Sequence, residues 1–250
     1  MTEATFNTSA GSGMKPASAR PSGDFALLQD IIEWDVGNWG RAVQLWDDEL
    51  GTDWSGRTAL DLGAGGGGLS LYLALRGCRV TYCDFTAPRP AALELFRRHG
   101  VHQQVEYSRA NVTRLPFADA SFEIVAFKSL LASVGKFGGM ESQKSVFDEA
   151  YRVLKPGGVL LFAENAHGSA FHAFCRDRFV AWGHDCRYPS LAELKGWLSA
   201  FSQVRLETFG VLAAFGRREW QRRALSRLDH VITPVFPKES RYLTYGYSIK

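Results

Sequence analysis

The sequence predicts an α/β fold, a doubly wound and mostly parallel sheet with helices on both faces. Two observations carry this. Short apolar runs alternate with helical patterns from Thr58 to Glu164, which is the βα rhythm of a parallel sheet. Polar residues then close those runs: Asp61, Asp84, Asn111, Lys128 and Glu164 all fall at or just past the ends of predicted strands. Open α/β sheets gather their ligands at the carboxyl ends of the strands.

The elements follow in order. Residues 1–23 are rich in Ser, Thr, Ala, Gly and Pro and lack the apolar stretch of a secretory signal. They are expected to be a disordered tail. Asp24 is placed to cap a helix reaching Asp35, and Asn38 a second helix over 39–50. Together they make an N-terminal helical cap, 24–50. Trp46 reads as core; Trp34 and Trp39, which flank Val36-Gly37, suit either core or cleft. Strands are expected over 58–62, 79–83, 105–109, 122–127 and 159–164, and helices over 68–76, 89–99 and 144–153. Lys155-Pro156-Gly157-Gly158 reads as a tight turn into the fifth strand. The aromatic segment 165–190 interrupts the alternation and reads as a substrate lid. Ser190-Leu191-Ala192-Glu193 is a capping box opening a helix to about residue 201. A strand over 204–209, a helical stretch with five arginines between Arg217 and Arg227, and an alternating strand from Tyr242 to Ile249 complete the chain.

Composition bounds the function. At 250 residues the chain suits one large domain, 24–250, with no internal repeat. A net charge of +3 gives no basic footprint for nucleic acid. No apolar run reaches the ~18 residues of a membrane span. Cys78, Cys83, Cys175 and Cys186 match no zinc spacing and read as reduced thiols of a cytoplasmic protein, with no metal expected. Oligomeric state has no signature.

The chemistry starts at Ala59-Leu60-Asp61-Leu62-Gly63-Ala64-Gly65-Gly66-Gly67-Gly68. Glycines after a strand let the backbone turn sharply and approach a ligand closely. The helix start beyond them offers free N–H groups. The spacing also satisfies the dinucleotide fingerprint, and Asp84 is placed to hold ribose hydroxyls in either reading. Asp61 separates the two. An acid here opposes a pyrophosphate and welcomes an ammonium beside a sulfonium. That favours S-adenosylmethionine.

Downstream come Ala110-Asn111-Val112-Thr113-Arg114-Leu115-Pro116-Phe117, Ser121-Phe122-Glu123-Ile124-Val125-Ala126-Phe127 and Arg152-Val153-Leu154-Lys155-Pro156-Gly157-Gly158. With this ordered set the chain resembles the class I S-adenosylmethionine-dependent methyltransferases, from about Trp34 to Lys250. The resemblance implies a Rossmann-like sheet whose last strand is antiparallel, inserted between the fifth and sixth. It implies N-terminal helices over the cofactor cleft. It implies that Asp61, Gly63, Ala64 and Gly65 surround the methionine part of the cofactor. Asp84 would hold the ribose, and Phe85 would pack on adenine. Asn111, in place of the usual Asp, would meet the adenine amino group, and Val112 would supply a backbone N–H. At Lys128 the backbone carbonyl would meet the methionine ammonium, while the side chain is expected to point away, to an anionic acceptor or to solvent.

The acceptor is expected to be a small, partly apolar molecule, such as a secondary metabolite, read by the lid. His167, three residues beyond the fifth strand, is the first candidate base, because imidazole titrates near neutrality. His172 and His184 are weaker candidates, and Glu164 and Asn165 are placed to face the acceptor. Tyr242, Tyr245 and Tyr247 read as packing. The arginine helix reads as a solvated face, with contact to an anionic acceptor as the alternative. Other chemistry on the same cofactor, such as cyclisation, or methylation of nucleic acid stays open, although Lys128-Ser129-Leu130-Leu131 lacks the Pro-Pro-aromatic motif of amino-methylating nucleic-acid enzymes.

Overall fold

The structure, a computed structural model, describes residues 24–179 and 186–250. The tail expected over 1–23, and Trp182 and His184 of the expected lid, lie outside the described residues.

Five strands form the parallel part of the sheet: β1 (Thr58–Leu62), β2 (Arg79–Asp84), β3 (Val105–Arg109), β4 (Phe122–Lys128) and β5 (Leu154–Asn165). Two more, β6 (Gln203–Phe209) and β7 (Leu243–Ile249), complete the order β3-β2-β1-β4-β5-β7-β6. The last strand lies antiparallel between β5 and β6, as the resemblance implied. The helices are α1 (Phe25–Ile32), α2 (Val36–Leu50), α3 (Gly68–Leu75), α4 (Pro90–Arg98), α5 (Leu131–Val153), α6 (Ala170–Phe179), α7 (Leu191–Trp197) and α8 (Glu219–Ile232).

The central strands sort side chains by strict alternation. Ala59, Ala126 and Ala163 face one core, with α1 to α4, and Leu60, Val125, Phe127, Leu160 and Phe162 face the other, with α5 and α7. Small residues on the first face leave room for the fully buried Trp39, Trp46 and Tyr72. Asp61 shares the parity of Ala59, so its carboxylate enters the α3 side.

Several boundaries depart from the sequence reading. Asn38 caps nothing: it is buried inside α2, and its amide bonds Asp229 and Tyr242. α1 ends at Ile32, because Glu33 (φ 75°) and Asp35 (φ 48°) leave helical space. α5 starts at Leu131 rather than 144. The Glu164 carboxylate accepts its first N–H groups, and a kink at Gly139 (φ 65°) joins two helices end to end. β5 takes in the Lys155–Gly158 turn, because Lys250 pairs with Gly157 and Gly158 at the start of the strand. α7 ends at Trp197, although the Ser190–Glu193 capping box forms as expected. Cys78, Cys83 and Cys175 are free thiols. Among the described residues, no helix is long and apolar enough to cross a membrane.

One buried ion pair ties α2 to α3. Arg76 Nη2 lies 2.5 Å from Asp47 Oδ1, which also accepts the Tyr72 hydroxyl at 2.9 Å. Both side chains are almost wholly buried. Removing one partner strands the other charge away from water. Arg76→Met is therefore expected to cost about 3–5 kcal/mol of stability, measured by denaturant unfolding; a loss under about 1 kcal/mol, the scale of a surface pair, would show that the pair does not hold the two helices.

Candidate functional site

The glycine turn is held by the strand beside it. Gly63 and Ala64 donate their N–H groups to the Cys83 carbonyl (2.8 and 3.2 Å), and Gly65 N–H donates to Asp84 Oδ2 (3.1 Å). The Tyr82 hydroxyl donates to the Gly65 carbonyl at 2.6 Å. Gly63, Gly65 and Gly67 all adopt positive φ, which side chains disfavour. A Cβ on Gly68 would lie 2.2 Å from the Ile31 carbonyl, so this glycine is what lets α1 lie against the start of α3.

This turn lines a cleft of about 180 Å³. Asp61, Gly63, Ala64, Gly65 and Lys128 all line it, joined by Glu33, Arg89 and Ser129, which the sequence reading did not single out. Asp84, Phe85, Asn111 and Val112 stand outside that lining, at the neighbouring ends of β2 and β3. Asp84 Oδ1 accepts from the Thr86 N–H and hydroxyl, both at 3.0 Å. Phe85 is exposed with the Arg109 guanidinium 5.3 Å from its ring centre. Asn111 Oδ1 is engaged in its own turn, accepting from Thr113 N–H and hydroxyl. Val112 is buried.

Two buried carboxyls set the charge of the cleft. Asp61 is pushed up to about 7, chiefly by burial, against the Ser70 hydroxyl bond (2.7 Å) and the nearby Lys128 charge. Glu164 is pushed up to about 8, again by burial first. The Lys128 side chain reaches neither of the two ends expected for it, an acceptor or solvent. Its Nζ donates to the Ile32 carbonyl at the end of α1 (3.2 Å) and sits 5.8 Å from the Trp39 ring centre. The negative end of a helix and two acids outweigh the solvent it would otherwise reach. Glu164 does not face an acceptor either: Oε1 accepts from Leu130 and Leu131 N–H, and the residue is fully buried.

A second and larger cavity, of about 1020 Å³, adjoins the first. That is the size of a small-molecule pocket. Trp34 and Ser129 line both spaces. Ser129 adopts φ 54°, and its buried hydroxyl has no bonding partner. Trp39 packs against Trp34 (centres 4.9 Å apart) but is fully buried, so of the pair only Trp34 reaches the cavities. Phe215, Tyr242, Tyr188 and Asn165 contribute further wall.

His167 lies outside this lining. Its backbone N–H continues the pairing past β5, to the Pro189 carbonyl, and its side chain is exposed. His172 does line the cavity and is buried. Its Nε2 lies 2.6 Å from the Val211 carbonyl, so Nε2 carries the proton. Nδ1 then accepts from Ser169 N–H (3.3 Å), so neither ring nitrogen is held open for an acceptor.

The raised carboxyls make stability depend on pH. Their unfolded values lie near about 4, so the stability they lend is full below that and is lost as pH rises through about 7 and about 8. The melting temperature of the ligand-free protein is expected to fall between about pH 5 and about pH 8.5. Asp61→Asn with Glu164→Gln should flatten that fall; an unchanged profile would mean both groups are ionised throughout.

Comparison with known proteins agrees with this geometry. Residues 60–162 match the model of the methyltransferase domain family. The chain is 39% identical over 111 residues to a demethylmenaquinone methyltransferase of Clavibacter sepedonicus, covering 44% of this chain and 42% of that protein. It is 34% identical over 110 residues to a malonyl-(acyl-carrier protein) O-methyltransferase of Enterobacter lignolyticus (strain SCF1), covering 44% and 39%. The chain thus spans less than half the length of these curated relatives. A geranyl diphosphate C-methyltransferase from Streptomyces coelicolor A3(2), solved with Mg2+, geranyl diphosphate and S-adenosyl-L-homocysteine, shares the fold at TM-score 0.58 and 17% identity, covering 84% of this chain and 78% of that one. The glycine turn and the Asp61 and Asp84 strand ends thus lie within the stretch, residues 60–162, that matches the methyltransferase domain family.

Proposed function

We propose that the protein transfers a methyl group from S-adenosylmethionine to a small, partly apolar acceptor. The observation that carries this is the pair of adjoining cavities with Trp34 and Ser129 common to both. One cavity has the cofactor's chemistry and the other has an acceptor's size, and they meet where a methyl group would cross.

The donor set suits the cofactor. A cationic ligand beside Asp61 favours its ionised form and offsets the cost of burying it. At Gly65 a Cβ would meet only the Gly63 carbonyl, at 3.7 Å, whereas at Gly63 and Gly67 it would strike Leu130 and Phe96, so those two glycines serve the packing of the turn. Asp61, Gly63, Ala64 and Gly65 would hold that moiety, with the backbone carbonyl of Lys128. Asp84 would bind the ribose hydroxyls, and Phe85, Asn111 and Val112 would border the adenine. When bound, the cofactor supplies a methyl group on a sulfonium.

The chain's own contribution is alignment and exclusion of water. Holding two reactants in line is worth about 7–11 kcal/mol in favourable cases. Trp34 walls the crossing point, and Ser129, with a buried hydroxyl that has no bonding partner, borders it. Asn165, His172 and Tyr188 line the cavity from the described parts of the expected lid. Nothing in His172 serves as a base, and one is required only where the acceptor must lose a proton. By their names a malonyl-(acyl-carrier protein) O-methyltransferase and a geranyl diphosphate C-methyltransferase methylate different atoms, so neither fixes the acceptor atom here.

Calorimetric titration should show binding of S-adenosylhomocysteine and none of NAD; the reverse result defeats the assignment. Asp84→Ala should weaken that binding at least tenfold, since each hydrogen bond to a charged group contributes about 1.5–3 kcal/mol. Ser129→Ala should lower turnover on an acceptor found by a mass gain of one methyl group, while leaving homocysteine affinity within about twofold, a few tenths of a kcal/mol. A full-rate variant would remove Ser129 from the crossing point.

A further inference from the structure

We propose that the acceptor carries an anionic group, a carboxylate or a phosphate ester, seated on Arg222 and Arg217 at one wall of the large cavity. The proposal rests on the reading of that cavity as the acceptor site.

The wall is built from α8 and the turn before it. Arg217 and Arg222 both line the cavity, and among its described lining residues there is no carboxylate. Arg222 is not a free surface side chain. Its stem is clamped against Gly216, where a Cβ would lie 2.6 Å from Arg222 Cγ. Its guanidinium lies 5.6 Å from the ring centre of Trp34, the residue that borders both cavities. The positive charge is therefore held next to the crossing point rather than at the rim.

The neighbouring acid does not satisfy it. Glu219 Oε2 lies 3.6 Å from Arg222 Nη1, longer than a hydrogen bond. The two Glu219 oxygens already accept the N–H groups of Asp35 and Val36, each at 3.0 Å, at the start of α2. Arg222 Nε is buried and has no bonding partner. The planar guanidinium matches two oxygens of one carboxylate or phosphate. A guanidinium cannot shed its proton to escape burial. A guanidinium on the wall of this cavity, with the Glu219 carboxylate 3.6 Å away, is thus a standing preference for an anion. Arg217 is exposed at the same wall and adds a second charge of the same sign.

The remaining walls fix the rest of the molecule. Trp34, Ala132, Phe215 and Tyr242 offer apolar and aromatic surface. Arg76 and Arg205 show what satisfied arginines look like in this chain: each meets a carboxylate within 3.1 Å. Arg222 lacks such a contact, and the cavity is where one would come from.

The test uses four eight-carbon probes on the full chain loaded with S-adenosylhomocysteine: octanoate, octyl phosphate, octanol and octylamine. Dissociation constants are measured by calorimetry at low and at moderate salt. The anionic probes are expected to bind at least tenfold more tightly than octanol, and octylamine more weakly than octanol. Octanoate against octyl phosphate decides between the two anions. Arg222→Gln should remove at least tenfold of the anion affinity, and Arg217→Gln about threefold. Neither should change octanol binding. Because Arg222→Gln could disturb α8, its homocysteine affinity is measured alongside, and the wild-type probe series stands without it. Equal affinity for octanol and the anions, or no measurable binding of any probe, overturns the anion seat while homocysteine binding keeps the methyltransferase reading. Failure of homocysteine binding with anion preference intact would do the opposite.

Discussion

A buried polar network between α2, α8 and the residue leading into β7 is what the large-cavity side of the molecule hangs on. Asn38 donates from one amide nitrogen to Asp229 and to the Tyr242 hydroxyl, both at 2.7 Å, and accepts from Ser226 at 2.6 Å. Tyr242 donates in turn to Asp35. Asp229 accepts three backbone N–H groups, from Val211, Leu212 and Ala213. That turn leads directly into Ala214, Phe215, Gly216 and Arg217, the far wall of the large cavity. A network of this kind is worth having only when complete, because an unmet polar group in low dielectric is costly. Asp35 sits at its edge, pushed up to about 7 by burial first and then by Glu219 and Asp229 against the Tyr242 bond. The cavity wall and the helix junction therefore share one set of hydrogen bonds.

The cofactor side rests on a different device, charge placed in a dry strand end. Asp61 and Glu164 cannot both be ionised there at no cost, and Lys128 alone is too little compensation. A ligand bringing positive charge completes the balance. This explains how an ammonium can share a cleft with a cationic ligand: Lys128 is drawn to the Ile32 carbonyl and leaves the Asp61 side open. The glycine turn, meanwhile, is fixed by β2 through Tyr82, Cys83 and Asp84 in succession. Asp84 thus serves the loop's shape as well as any ribose, so its two roles cannot be separated by affinity alone.

Much of this was legible in the sequence because it is local. Strand alternation, the glycine run, the Ser190 capping box and the polar strand ends each occupy a few consecutive residues. The sheet order and the cofactor cleft follow from them. What stayed hidden depends on residues far apart in the chain. Asn38 looks like a helix cap until Asp229 and Tyr242, some two hundred residues on, claim its side chain. Glu219 and Arg222 look like one solvated arginine helix until α8 docks on the start of α2. His167 had the expected position and imidazole chemistry, but backbone pairing to Pro189 decides which way it faces, and no spacing rule records that. Glu164 shows the same limit: its place at a strand end was readable, its use as the anchor of α5 was not.

The junction of the two cavities is also where the backbone is least relaxed. Glu33, Asp35 and Ser129 are non-glycine residues at positive φ, and they flank or form the border between the spaces. Each such residue costs about 1–3 kcal/mol and persists only where its surroundings over-determine it. The surroundings are visible: Glu33 N–H is held by Gln29, Asp35 N–H by Glu219 and Ser129 N–H by Ala163. Strain spent here sets Trp34 and the Ser129 hydroxyl in one place. An enzyme relying on a strong base would concentrate its effort on an open, tunable imidazole or carboxyl in the acceptor cavity, whereas His172 has both nitrogens committed and Glu164 is turned into a helix start. The chain has instead concentrated its effort on a held border between the two cavities, which is what the proposed in-line transfer between two bound molecules would need most.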